Sequence, residues 1–160
     1  MATELLADFE DALKGRECIV ERRETGWVFS FGDGARFIVE APWRIVTEVG
    51  VAHAGADDGQ TFGLSPPVDG EARSNALIKG RRVRALEIDR TTADLCVHFD
   101  GDVRLDVFNN SSGYESWRAQ FDRGDEAVDL VGLGGGAIAF FIAPPGAASQ
   151  VITMQLLPKP

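Results

Sequence analysis

Residues 31–39 read FGDGARFIV and residues 99–107 read FDGDVRLDV, and the two stretches overlay without a gap. Phe31 meets Phe99, Arg36 meets Arg104, Phe37 meets Leu105 and Val39 meets Val107. In each, aspartate and glycine stand between two alternating runs. Glycine, and more weakly Asp or Asn, tolerates the positive φ of a tight turn, so each stretch predicts a β-hairpin. Outward towards the N-terminus, Lys14-Gly15-Arg16 lies over Lys79-Gly80-Arg81, preceded by aliphatic Leu13 and Ile78. A β-like run follows each, Glu17 to Arg23 and Arg82 to Asp89, and then a polar turn, Glu24-Thr25-Gly26 and Arg90 to Asp94. Outward towards the C-terminus, each unit closes on a tryptophan-arginine pair, Trp43-Arg44 and Trp117-Arg118. Asn109-Asn110-Ser111-Ser112-Gly113 is inserted in the second unit only.

A repeat governs the whole fold, but two copies are too few for a solenoid. The expectation is a mainly β (α+β) fold: an N-terminal helix and two related antiparallel meanders in one sheet system or barrel, where joining the meanders pairs their edges. One domain is expected over 1–160, with the duplication at about 13–53 and 77–121. Leu5, Leu6, Phe9, Ala12 and Leu13 fall on one face of a helix over 3–13, opposite Glu4, Asp8, Glu10 and Asp11. Ile45 to His53 reads as a further strand, Ala54 to Asp69 as a long loop and 72–78 as a short helical turn. Tyr114 to Phe121, Ala137 to Ile142 and Val151 to Leu157 read as strands. The expected core is Phe31, Phe37, Val39, Phe99, Leu105, Val107, Trp117, Ile138, Phe140 and Ile152.

The 160 residues carry a net charge of −9. Such a surface repels nucleic-acid phosphates and anionic membranes, and steers a basic protein partner towards it. The start, MATELLADFEDALKG, has acids where a signal peptide has basic residues, and no run of apolar residues is long enough for a membrane span. With only two cysteines, Cys18 and Cys96, the expected setting is the cytoplasm with reduced thiols. Arginine outnumbers lysine, which points to a GC-rich bacterial source. The sequence leaves the oligomeric state open.

Three strings invite a chemical reading. Gly132-Leu133-Gly134-Gly135-Gly136-Ala137 fits the glycine pattern of a dinucleotide loop, but Ile138 to Ile142 and two prolines follow it, where that loop needs a helix. A tight turn entering a strand is expected there, and no cofactor. Cys96-x-His98 places two metal-ligand types on one face of a strand, and His53 and Cys18 complete a conceivable set of four. Structural zinc normally shows two close pairs, and Cys96 in Leu95-Cys96-Val97 reads as a small strand residue, so no metal site is expected. No Gly-x-Ser-x-Gly elbow is present. Asp100, Asp102 and Asp106 alternate with Val103, Leu105 and Val107, as on the solvent face of a strand. An enzyme would require Cys96, His98 or His53 to meet carboxylates in a cleft. Finally, Trp43, Arg44, Tyr114, Glu115, Trp117 and Arg118 form a candidate binding patch, since aromatic and arginine side chains dominate binding hot spots. The competing expectation makes both tryptophans core pillars.

The string Leu95–Phe99, Asp100-Gly101, Val103–Phe108, Tyr114-Glu115-Ser116-Trp117 and Gly132–Phe141 resembles a set of small, uncharacterised bacterial β-rich proteins with a Tyr-Glu-Ser/Ala-Trp motif. The resemblance implies a fold and no chemistry; some proteins of this general type are thought to serve as immunity or accessory proteins of bacterial toxin systems. The leading expectation is therefore a non-enzymatic protein-interaction module, in its immunity-type version an inhibitor of a basic partner. The alternative is a small-molecule-binding β-barrel, whose inward side chains would line a cavity.

Overall fold

Leu5, Phe9 and Leu13 recur every fourth residue and are all fully buried, which makes α1 (Ala2–Leu13) an amphipathic helix with one face in the core. Gly15, at φ 77°, ends it, and the Gly15 N–H donates to the Val83 carbonyl at 2.8 Å. A computed structural model describes residues 2–63, 66–146, 148 and 150–155 of the chain.

The first meander is β1 (Ile19–Arg22), β2 (Trp27–Ser30) and β3 (Ala35–Val39). The hairpin β4 (Trp43–Thr47) and β5 (Gly50–Ala54) follows it. Helix α2 (Gly70–Ile78), capped by the Asp69 side chain, precedes the second meander, β6 (Val83–Ile88), β7 (Leu95–Phe99) and β8 (Val103–Val107). The chain ends in β9 (Trp117–Arg123), β10 (Glu126–Gly132), β11 (Ala137–Ala143) and β12 (Gln150–Gln155).

These strands form two antiparallel sheets, not a closed barrel: sheet I in the order β1-β2-β3-β9-β10-β11-β12 and sheet II in the order β5-β4-β8-β7-β6. Each meander hands its next strand to the other sheet. Thus β4 leaves the first meander and pairs with β8, while β9 leaves the second and pairs with β3. The two junctions match residue for residue, with Trp43 opposite Val107 and Val39 opposite Trp117. An isolated bridge joins Glu17 to Arg82, the residues that follow the two Lys-Gly-Arg strings. These are corresponding positions when the two Lys-Gly-Arg strings are overlaid. Arg16 and Arg81 also correspond in their work: each donates through Nη1 to a carbonyl of its own unit's hairpin turn, Phe31 at 3.0 Å and Asp100 at 2.9 Å.

One apolar cluster fills the space between the sheets and under α1. Phe9 packs on Phe37 and Phe121 of sheet I at ring separations of 5.6 and 5.4 Å. Trp43 of sheet II meets Trp27 and Phe29 of sheet I edge to face at 5.1 and 5.0 Å. Such pairs add specific geometry to the burial that drives the packing. Of the expected core, Phe31, Phe37, Val39, Phe99, Leu105, Val107, Trp117, Ile138 and Phe140 are buried; the side chain of Ile152 lies outside the described residues.

The structure corrects three strand expectations. The strand expected over Tyr114 to Phe121 begins only at Trp117 and runs to Arg123, because Tyr114 to Ser116 belong to the hydrogen-bonded loop before it. Ile45 to His53 is not one strand, because Glu48 and Val49 turn the chain and Gly50 takes φ 122°, giving the hairpin β4–β5. β10 is a strand over a stretch for which no element was expected: Val128 and Leu130 point inward while Asp129 faces out. β12 covers most of the expected Val151–Leu157, and Leu156 and Leu157 lie outside the described residues. No helix among the described residues is long and apolar enough to cross a membrane.

Candidate functional site

The tryptophan-arginine pairs are core pillars followed by surface ion pairs. Trp43 and Trp117 are only 3% and 2% exposed. Trp117 Nε1 donates to the Ala93 carbonyl at 2.9 Å. Each indole lies over a glycine, Gly55 or Gly132, where a Cβ has no room. The two-residue strand period then turns Arg44 and Arg118 outward on opposite sheets. Arg44 pairs with Asp106 at 2.9 Å across sheet II, and Arg118 pairs with Asp129 across sheet I. The expected patch of Trp43, Arg44, Tyr114, Glu115, Trp117 and Arg118 is therefore not one surface, and its tryptophan rings are withdrawn from solvent.

What remains of it is the inserted segment. Tyr114 is 82% exposed, and Glu115 beside it is exposed too. The backbone that carries them is braced from three sides. The Asn109 N–H donates to Asp94 Oδ1 at 2.7 Å, and Asn109 Nδ2 donates to the carbonyls of Thr92 and Leu133 at 2.8 Å each. Ser116 Oγ donates back to Asn109 Oδ1. Ser111 Oγ accepts from the N–H of Tyr114 at 2.9 Å, and the Ser111 carbonyl accepts from Gly135 N–H at 3.0 Å. The glycine-rich run supplies that last contact. Gly135 and Gly136 stand at φ 81° and 94°, and Gly134 lies so close to the Gly113 backbone that a Cβ would collide. The run leads into β11, so it offers no helix N-terminus to a pyrophosphate.

The outer face of sheet II carries a second cluster. Register sets Glu87 opposite Cys96, Cys96 opposite Asp106, and Asp106 opposite Arg44, a polar row over four strands. His98 lies two residues along β7 on the same face, with its Nε2 3.4 Å from Cys96 Sγ and 3.4 Å from Glu87 Oε2. Asp106 is buried and accepts from Arg44 Nε at 2.9 Å and Arg104 Nε at 3.1 Å. Burial pushes its carboxyl up, but the hydrogen bonds of Arg44, Cys96 and Arg104 outweigh it and hold the group below the usual carboxylate value. The Cys96 thiol is pushed up to about 12, first by burial and then by Asp106 and Glu87. At neutral pH it is a thiol, not a nucleophilic thiolate.

Cys18 and His53 stand apart from this cluster, so the four-ligand set conceivable from the sequence is not assembled. Cys18 is buried in the core, and burial pushes its thiol far up. His53 is fully buried with its ring edge-on to Trp43 at 5.6 Å. Neither of its ring nitrogens has a hydrogen-bond partner among the described residues. Burial holds the imidazole below its ordinary value, against the pull of Asp57, whose Oδ2 is 3.8 Å away.

Glu87 is the residue sequence reading missed. It is contributed by the neighbouring strand across a register that contains a bulge between Val83 and Ala85, and only the pairing shows that it faces Cys96. No protein-family model, curated protein or solved structure matches the chain.

Proposed function

We propose that this chain is a non-enzymatic protein-interaction module that engages a basic partner protein through the braced segment 109–116, with Tyr114 as its anchor. One observation carries this: the chain's single tyrosine is 82% exposed on a backbone held by hydrogen bonds to Asp94, Thr92 and Leu133 and from Gly135. An exposed aromatic on a floppy loop loses entropy when it binds. A braced backbone lowers that loss, and tyrosine brings a large amphipathic contact with few rotatable bonds. The net charge of −9 favours a positively charged partner and speeds the encounter. The resemblance of residues 95–141 to small uncharacterised bacterial β-rich proteins, a general type of which some are thought to serve as immunity or accessory proteins, motivates the immunity-type version, in which the partner is a toxin that this chain inhibits. The alternative as a ligand-binding barrel has less support, since Phe9, Phe29, Phe31, Phe37 and Trp117 occupy the interior.

The test is capture from native lysate by the wild-type chain and by Tyr114→Ala, at low and at high salt. The expected result is a positively charged protein held by the wild type, released by salt, and lost with Tyr114→Ala at unchanged melting temperature. Retention of the same protein by Tyr114→Ala, or capture that is indifferent to salt, would contradict the proposal.

A further inference from the structure

We propose that Glu87, Cys96 and His98 form a three-ligand site for zinc(II) on the outer face of sheet II, with the fourth coordination position open to solvent. The three donors, Glu87 Oε2, Cys96 Sγ and His98 Nε2, all lie within 4.8 Å of one another. Two of the separations are sharper: sulfur to nitrogen 3.4 Å, and nitrogen to oxygen 3.4 Å. Tetrahedral zinc, with bonds of about 2.3 Å to sulfur and about 2.0–2.1 Å to nitrogen or oxygen, sets its ligand atoms about 3.3–3.6 Å apart. The observed spacings therefore already match two edges of a zinc tetrahedron.

The donor set selects the metal class. Calcium and magnesium take oxygen, whereas one thiolate, one imidazole and one carboxylate suit a borderline-soft ion. Binding replaces the thiol proton with a metal–sulfur bond and releases that proton to solvent. The position is accessible, because the Glu87 side chain is 72% exposed and that of His98 38%. Behind the sulfur, Asp106 is held in place by Arg44 and Arg104, so the floor of the site is fixed.

The first meander offers an internal control. Where the overlay of Phe31 on Phe99 places Cys96 and His98, it has Val28 and Ser30, and the residue opposite Val28 is Glu21. Its two strands pair antiparallel like β6 and β7, without the thiol or the imidazole. The fold does not require them.

The experiment titrates the full-length chain with zinc(II) by calorimetry, and with cobalt(II) as a spectroscopic probe. One equivalent of zinc should bind, and cobalt should give a thiolate-to-metal charge-transfer band with tetrahedral visible absorption. Cys96→Ser should abolish the band, Cys18→Ala should keep it, and His98→Ala and Glu87→Gln should each weaken zinc at least about tenfold. Glu87→Gln sits on an exposed side chain and should unfold at the wild-type temperature without metal, so its loss of zinc would not be a folding defect. Zinc bound equally by wild type and by Glu87→Gln or Cys96→Ser, a cobalt spectrum without the thiolate band, or no binding at all would overturn the assignment.

Discussion

At the residue scale, His53 shows how burial becomes pH dependence. The imidazole is fully buried, lacks a hydrogen-bond partner among the described residues, and has its pKa lowered from 6.5, with burial as the largest cause. The unfolded chain therefore takes up a proton near pH 6.5 that the folded chain refuses. Above that pH both states are neutral and the proton-linked cost of His53 vanishes. As the pH falls through it, stability is lost. Urea unfolding at pH 7.5 and pH 5.5 should give a lower midpoint at pH 5.5, with most of the difference removed in His53→Leu. A difference unchanged by that substitution would place the pH sensitivity elsewhere. Asp106 acts in a separate window: its carboxyl is held below 3.8, so its contribution persists above that value and fades only under stronger acid.

The residue scale is also where sequence reading stopped short. The two tryptophans were legible as pillars because each closes a meander at a matched place. Cys96 and His98 were legible as a pair on one strand face, since a period of two needs no further information. Glu87 was not, because only the pairing of β6 with β7 shows that it stands opposite Cys96. Tyr114 was legible as a candidate contact residue, but the bracing of its loop was not, since the hydrogen bonds from Asn109 reach Thr92 and Leu133, distant in sequence.

At the element scale, edge strand β1 is guarded by a helix. Asn75 of α2 acts as a surrogate strand partner: its Oδ1 accepts from Val20 N–H at 2.9 Å and its Nδ2 donates to the Val20 carbonyl at 2.8 Å. Glu71 Oε2 accepts from Arg22 N–H at 2.8 Å. An open edge would otherwise be a template for pairing with another chain. Val20 is buried, so losing its partner leaves polar backbone groups stranded. Asn75→Ala should cost about 1–3 kcal/mol in chemical unfolding and raise the tendency to aggregate. Asn75→Asp should cost a similar amount, because a carboxylate cannot donate to the Val20 carbonyl. A loss below about 0.5 kcal/mol would show that α2 merely covers the edge without bonding it. This device was not visible in 72–78 read as a helical turn. The hairpins were visible, because Asp-Gly between alternating runs needs no tertiary information.

At the scale of the whole molecule, the two units are tied by exchange. The first gives β4 and β5 to sheet II and the second gives β9 to β12 to sheet I, so each sheet draws strands from both. The two hairpins were legible in the overlay of 31–39 on 99–107. The exchange was not, because the turns before Trp43 and Trp117 could equally lead into the same sheet or across to the other. The helices take part in the same arrangement, for α1 packs against β9 and β6 while α2 packs against β1 and β5. Half the chain should then be unable to build a core. Residues 64–160 alone would lack Phe9, Phe29, Phe31 and Phe37, all fully buried in the intact molecule. The most direct measurement is the amide NMR spectrum of fragments 1–63 and 64–160, separately and mixed. Strand exchange predicts collapsed dispersion for each fragment alone and the spectrum of the intact chain on mixing. A dispersed, cooperatively melting spectrum from either fragment by itself would contradict it.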